Sequence, residues 1–439
     1  MDGGFKIPRP REIDLELFSP KNEGSGAFYG LPMKVQFCSM CGISNQKPNI
    51  VIEHAHGTDT IKPSMVMDEN LICAACQYVK YEKPKIDWKT REEELGTLCT
   101  KFRSKNRTYD CIVPGSGGKD SMYVSHLLKT RFGMNPLTVT WASNIPTEWG
   151  KLNYESWISN GFENLMFSSA KKVRRLLARL AVENLFHPLQ PFEIGVRAFP
   201  PKIAINRGIP LVFYGESSRE HGVAEKNISS KVYEKHFSIE SIESVKLAGL
   251  PISVLREDFE INQEDLEPYL PIDSNLVINT GLEVHNFDYF IPWNPLDNLK
   301  YAKSKCGFYP SPERSNGSFT NYSSIEDKLD DLNWYARHIK FGLGRASYDA
   351  ATEVRYSNLK LQEARRLVAQ FDGEFPSRFM SEILSFLSLT ENDFPNISSF
   401  FESPLMDESY LRTLADNFRS PHLWSFYHNK WFLRQPAHV

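Results

Sequence analysis

The sequence predicts an α/β fold, a parallel sheet flanked by helices, preceded by a small cysteine-bearing module and followed by a mainly helical C-terminal region. Three observations predict it. Short apolar runs alternate with amphipathic stretches from Tyr109 to Tyr214, a glycine-rich turn joins the first run to the first helix, and two Cys-x-x-Cys pairs stand upstream. Such alternation implies parallel strands with right-handed crossovers, and ligands of these sheets bind beyond the carboxyl ends of the strands.

At 439 residues the chain exceeds one typical domain. Residues 1–34 contain Pro and Gly with no sustained period and read as an extended arm; 35–81 carry the paired cysteines; 82–105 are a linking amphipathic helix with Trp88, Leu95 and Leu98 at near-helical spacing. The sheet domain occupies 106–300. Tyr109–Val113 is a strand, Lys119–Arg131 a helix, Leu137–Trp141 a strand, Thr147–Asn160 a helix and Leu165–Phe167 a short strand. Ala170–Phe186 follows as a helix, and Ile209–Tyr214 as a strand ending in Gly215-Glu216-Ser217. The basic run Lys171, Lys172, Arg174, Arg175 and Arg179 reads as a solvated helix face. Residues 225–290 are charge-rich and read as an insertion, and 301–439 carry helices near 325–341, 345–356 and 359–370.

Composition is that of an ordinary globular chain. With 51 basic and 54 acidic residues the net charge is −3, so there is no basic footprint for nucleic acid. No segment approaches the roughly 18 apolar residues of a membrane span, and the N-terminus has no apolar core of a signal peptide, so a cytoplasmic protein is expected.

Seven cysteines in such a chain argue against a disulfide framework. Cys38-x-x-Cys41 and Cys73-x-x-Cys76 are separated by about the length of a zinc ribbon and are suited to one tetrahedral thiolate site. The expected ion is a structural Zn²⁺, because four thiolates leave no open coordination position; an iron–sulfur cluster is the alternative. His54 and His56, between the pairs, read as loop residues.

The turn after the first strand reads Gly115-Ser116-Gly117-Gly118-Lys119-Asp120-Ser121. It is not a Walker A loop, since Val113 stands where the first glycine belongs and Asp120 follows the lysine. A dinucleotide fingerprint fails too, because Asp120 occupies the position of a small residue. Paired glycines, two serine hydroxyls, a lysine and a helix N-terminus together form a phosphate cradle, with Asp120 placed for Mg²⁺. The pattern S-G-G-x-D-S resembles the PP-loop of the ATP pyrophosphatase superfamily, whose HUP-like sheet binds ATP and cuts it between the α and β phosphates. That resemblance makes 106–300 a PP-loop ATP pyrophosphatase domain with Lys119 and Asp120 catalytic. ATP is then expected on Ser116, Gly117, Gly118, Lys119, Asp120 and Ser121, with Trp141 beside the base and Gly215 and Glu216 on the same rim.

The ordered phrases FCSMCGISNQKP, ICAACQYVKYEKPKIDWKTREEEL, YDCIVPGSGGKDS, LVFYGES, PWNPLDNLKYAKSKCGF, GLGRASYDAATEVR and FDGEFP resemble the N-acetyl sugar amidotransferase family. That family serves bacterial lipopolysaccharide O-antigen and pseudaminic and legionaminic acid biosynthesis. The resemblance covers about residues 35–376. It implies conversion of an acetamido group on a nucleotide-activated diacetamido sugar to an acetamidino group, with ammonia from a glutaminase subunit similar to that of imidazole glycerol phosphate synthase, sometimes with a cyclase-like companion. Lys300, Lys303 and Lys305 are candidate second phosphate contacts, and Arg345 and Asp349, one turn apart, candidate contacts to an acidic sugar. The competing reading is a tRNA 2-thiolation PP-loop enzyme, but the paired cysteines all precede the loop and the charge is slightly acidic.

Overall fold

The computed structural model of the chain describes residues 10–22, 26–49, 52–106, 108–215 and 234–436. After the linking helix α1 (Trp88–Phe102), the chain forms β1 (Cys111–Pro114), α2 (Lys119–Thr130), β2 (Pro136–Trp141), α3 (Glu148–Ser159) and β3 (Asn164–Phe167). It continues through α4 (Lys171–Leu185), α5 (Gln190–Arg207), β4 (Leu211–Tyr214), β5 (Glu283–Asn286) and α6 (Pro295–Lys305). The five strands make one sheet in the order β3-β2-β1-β4-β5, every pair parallel. Cys111, Ile112 and Val113 are buried, as befits a central strand covered by helices on both faces.

That order places a topological switch point beside β1. The chain steps outward from β1 to β2 and β3, then returns to the other side with β4. Crossovers diverge there, opening a crevice at the carboxyl ends of β1 and β4. The glycine loop sits at that point.

Four features depart from the sequence expectation. Helix α5, where the sequence reading places no element, continues through Pro200-Pro201, residues that ordinarily break a helix. The carbonyls these prolines leave without amide donors belong to Val196 and Arg197, and the Tyr214 hydroxyl at the end of β4 lies 3.5 and 2.9 Å from them. A tertiary contact thus replaces the missing helix bond. The charge-rich region ends in β5, whose residues Glu283–Asn286 pair with Leu211–Tyr214 as an edge strand of the main sheet.

The basic run is not a solvated face throughout. Lys171 and Lys172 are exposed, but Arg175 donates to the Phe386 carbonyl at 3.0 Å and pairs with Asp393 at 2.7 Å. Arg179 is fully buried and pairs with Glu183 at 2.8 Å. Its Nη1 donates to the carbonyls of Leu387 and Pro404, so these arginines dock the C-terminal region onto the sheet domain.

The C-terminal region has helices α7 (Leu329–Phe341), α8 (Arg345–Arg355) and α9 (Leu361–Phe371) where periodicity predicts them, and adds an antiparallel hairpin of β6 (Trp424–Tyr427) and β7 (Lys430–Leu433). The hairpin anchors the N-terminal arm. Buried Phe18 meets Trp431 edge-on at 4.9 Å, and Arg434 donates to the Asn22 and Ser19 carbonyls. No helix among the described residues is long and apolar enough to cross a membrane.

Candidate active site

The loop's conformation follows from its glycines. Gly117 has φ +86°, and a Cβ there would lie 2.7–2.8 Å from the backbone of Asn153 and Tyr154 in α3. Only glycine fits both the torsion and the contact. Gly118 begins α2 with no side-chain cap, leaving the first-turn N–H groups to an external acceptor. Ser121 turns its hydroxyl back onto the Gly118 carbonyl at 3.0 Å, so it shapes the loop. Lys119 and Asp120 are ion-paired, and Asn298 Nδ2 approaches Asp120 at 3.5 Å.

Ser116, Gly118, Lys119 and Asp120 line a cavity of about 640 Å³. Its other walls come from the cysteine module through Lys47, Glu53 and Lys62, from α5 through Glu193 and Arg197, and from α7 and α8. Arg345 and Asp349 both line it. Asp349 is buried and accepts hydrogen bonds from Ser318 Oγ (2.5 Å) and Thr320 Oγ1 (2.9 Å) while pairing with Arg345 at 2.8 Å. Three donors converge on its Oδ2 while Oδ1 meets only Arg345, so Asp349 holds Arg345 in place on the cavity wall.

Other expected site residues lie elsewhere. Trp141 packs in the core against Phe167, Phe199 and Tyr269, with ring centroids 4.9–5.6 Å apart, and leans on Gly195, where a Cβ would collide with its ring. The Ala142 N–H donates to Phe167 O at 2.8 Å. The Trp141 ring thus lies in the core and is absent from the cavity wall. Lys300, Lys303 and Lys305 are exposed on α6 and absent from the cavity wall, Lys300 pairing with Asp297 at 3.1 Å. They form a solvated helix face. Gly215 ends β4 against Trp293, with Asp120 beyond it, and Glu216 lies outside the described residues.

Two groups escaped the sequence reading. Glu326 is pinned by its carbonyl, which accepts from Thr147 N at 3.1 Å, and its carboxylate reaches the loop: a Cβ on Gly118 would be 2.9 Å from Glu326 Oε1. Burial pushes its carboxyl up and Lys119 opposes that shift. Asp330 is pushed well above the usual carboxylate range by burial and by Asp327 and Glu326. The second group is Glu53, His56 and His187, whose ligand atoms lie within 4.8 Å of one another. His56 Nδ1 is 3.3 Å from Glu53 and its Nε2 is 2.8 Å from Lys62 Nζ, so His56, on irregular backbone as expected, is part of a buried network. Neither group follows a local motif, since each depends on elements far apart in sequence.

Cys38, Cys41, Cys73 and Cys76 converge as their spacing predicts. Sγ–Sγ separations of 3.8 Å (Cys38–Cys76) and 3.7 Å (Cys41–Cys73) match the edges of a tetrahedron with metal–sulfur bonds of about 2.3 Å. The Cys38 thiol is pushed down by hydrogen bonds from the other three, and Cys73 and Cys76 are pushed up by Cys38 and Cys41. Four thiols that cannot all ionise unaided are a donor set for a cation such as Zn²⁺. Arg355 places Nη1 3.9 Å from Cys41 Sγ and also lines the cavity, linking the module to its wall. Cys99 and Cys306 are pushed up to about 12 and Cys111 well above its usual range, all by burial. None of the seven cysteines lines the cavity.

Residues 316–435 match a family model described as the C-terminal domain of WbpG-like LPS biosynthesis proteins. The match supports a role in lipopolysaccharide sugar biosynthesis and suggests an enzyme. It spans α7, α8 and α9, and so contributes the cavity wall that carries Trp334, Arg337, Arg345 and Tyr348. A search of curated proteins finds no match.

Proposed function

We propose that the protein is an ATP-dependent amidotransferase that converts an acetamido group of a nucleotide-activated diacetamido sugar to an acetamidino group, releasing AMP and pyrophosphate. The observation that carries this reading is the SGGKDS loop at the switch point, opening into a cavity that is also lined by residues of the stretch matching an LPS-biosynthesis domain. An amide oxygen is a very poor leaving group, so ammonia does not displace it unaided. In the proposed sequence the amide oxygen attacks the α-phosphorus of ATP and the bond to pyrophosphate breaks. Ammonia then adds to the imidate carbon, a proton leaves its nitrogen, and the C–O bond breaks to release AMP.

The chain's own residues supply positioning and charge. Loop amides and Ser116 receive phosphate oxygens, and Lys119 neutralises charge on the departing pyrophosphate. Asp120 would hold Mg²⁺, whose chemistry is to screen that charge. Ammonia comes from a partner glutaminase, with a cyclase-like subunit as a further companion. This assignment is supported by three unpaired cysteines that are buried and held as thiols. Sulfur transfer to tRNA fits less well, since no cysteine reaches the cavity.

Lys119→Ala and Asp120→Asn test the reading. Each should abolish sugar- and ammonium-dependent pyrophosphate release with metal content unchanged, and normal turnover in both would remove the catalytic assignment.

A further inference from the structure

We propose that Arg337 and Arg345 form a second anion site in the cavity, which holds the phosphate of the nucleotide that carries the sugar, across from the glycine loop. The inference rests on the amidotransferase reading and adds where the sugar nucleotide is gripped. It starts from spacing: Trp334 and Arg337 are one turn apart on α7, Arg345 and Tyr348 one turn apart on α8, and all four line the cavity.

Trp334 organises the pair. The Arg337 and Arg345 guanidinium carbons lie 5.1 and 4.7 Å from its ring centroid. The indole is fixed by a 2.9 Å bond from Nε1 to Ser324 Oγ and by edge contact with Tyr348 at 4.9 Å. Arg345 spends one edge of its fork on Asp349, with Nε at 3.2 Å from Oδ2 and Nη2 at 2.8 Å from Oδ1. Its Nη1 makes no hydrogen bond among the described residues. Arg337 pairs with Glu193 at 3.5 Å and is hydrogen-bonded to Tyr348, while its buried Nε has no hydrogen-bond partner among the described residues.

A guanidinium carries five donors, and two of them held on one indole leave most of these unspent. Glu193 and Asp349 each take part of one guanidinium, and the donors left over belong to side chains of the cavity wall, where the planar fork matches phosphate bidentately. The ring of Tyr348 beside the pair supplies an apolar surface for a base or sugar. Uridine diphosphate and cytidine monophosphate carriers share this chemistry. The exposed lysines of α6 do not supply it, because they lie outside the cavity.

The test is calorimetric titration of the full chain with UDP, with CMP and separately with ATP and Mg²⁺. Arg337→Gln and Arg345→Gln should each weaken UDP or CMP binding by about tenfold or more and leave ATP within about twofold. Arg345→Lys, which keeps the charge and loses the fork, should fall between and shows that the loss is not misfolding. Lys119→Ala should show the reverse pattern. The proposal is overturned if neither UDP nor CMP binds the wild type, if the arginine variants keep their affinity, or if they lose ATP equally. Failure of ATP to bind the wild type, or indifference of ATP to Lys119→Ala, overturns the amidotransferase reading instead. Whichever of UDP and CMP binds identifies the carrier class.

Discussion

Replacing Gly117 by alanine tests the phosphate loop where its geometry is most constrained. Two costs add. At φ +86° an L-residue is strained by about 1–2 kcal/mol. The new Cβ would also stand 2.7 Å from Tyr154 Cα and 2.8 Å from Asn153 O, backbone atoms that no rotamer change can move. Overpacking of that kind costs about 1–3 kcal/mol. Helix α3 is held by buried Asn153 and Trp157, so the loop is the part that shifts. The sum, about 2–5 kcal/mol, must be supplied again when ATP restores the loop, which corresponds to roughly 30-fold to several thousandfold in affinity. Gly208→Ala is the control: φ is +65° but nothing lies within 4 Å, so it is strained without collision and far from the loop. Calorimetric titration with ATP and Mg²⁺, with circular dichroism to confirm folding, reads the result. The reasoning is refuted if Gly117→Ala binds ATP within about threefold of wild type, or if Gly208→Ala loses as much.

Three further outcomes follow from the fold. Arg179→Ala leaves Glu183 buried without its cation and should destabilise the protein by about 3–5 kcal/mol in urea unfolding, whereas loss below about 1 kcal/mol would mean that the pair is solvated. His422 bridges Ser420 and Gln46, and burial holds it down at about 4, so the native state keeps it neutral while the unfolded chain, near 6.5, takes up a proton first. Its contribution is complete above about pH 6.5 and is lost as pH falls toward 4; at pH 5 the loss is about 2 kcal/mol, which His422→Gln should remove from the pH 7.5 to pH 5 difference. Cys73→Ser should weaken and shift the thiolate-to-cobalt absorption of the cobalt-loaded protein and loosen the wall around Arg355, and an unchanged spectrum would exclude the four-cysteine site.

The parts of the fold legible in the sequence are those whose signal is local. The apolar run before Gly115, the amphipathic stretches of α2 and α4, and the two Cys-x-x-Cys pairs each carry their own period or spacing, and each forms where expected. Helix α5 carries Pro200-Pro201, so no local signal marks it as one helix; the Tyr214 hydroxyl that replaces the lost bonds comes from another element. Strand β5 reads Glu-Val-His-Asn, with no apolar run, and is a strand because β4 offers its edge. The inner wall of the cavity was illegible for a related reason. Arg345 is singled out by its spacing from Asp349, but Arg337 looks like a charge on an amphipathic helix until α7 turns it inward against Trp334. In α4 the same ambiguity held, and Arg175 and Arg179 proved to be buried docking groups.

The most direct test of the account is AMP and pyrophosphate formation from ATP and Mg²⁺ with ammonium chloride, across UDP-linked diacetamido sugars and CMP-linked diacetamido nonulosonic acids. The account predicts AMP formation that requires one of these sugars, with a product about one mass unit lighter as O is replaced by NH. Release stimulated by bulk tRNA and by no sugar would contradict it.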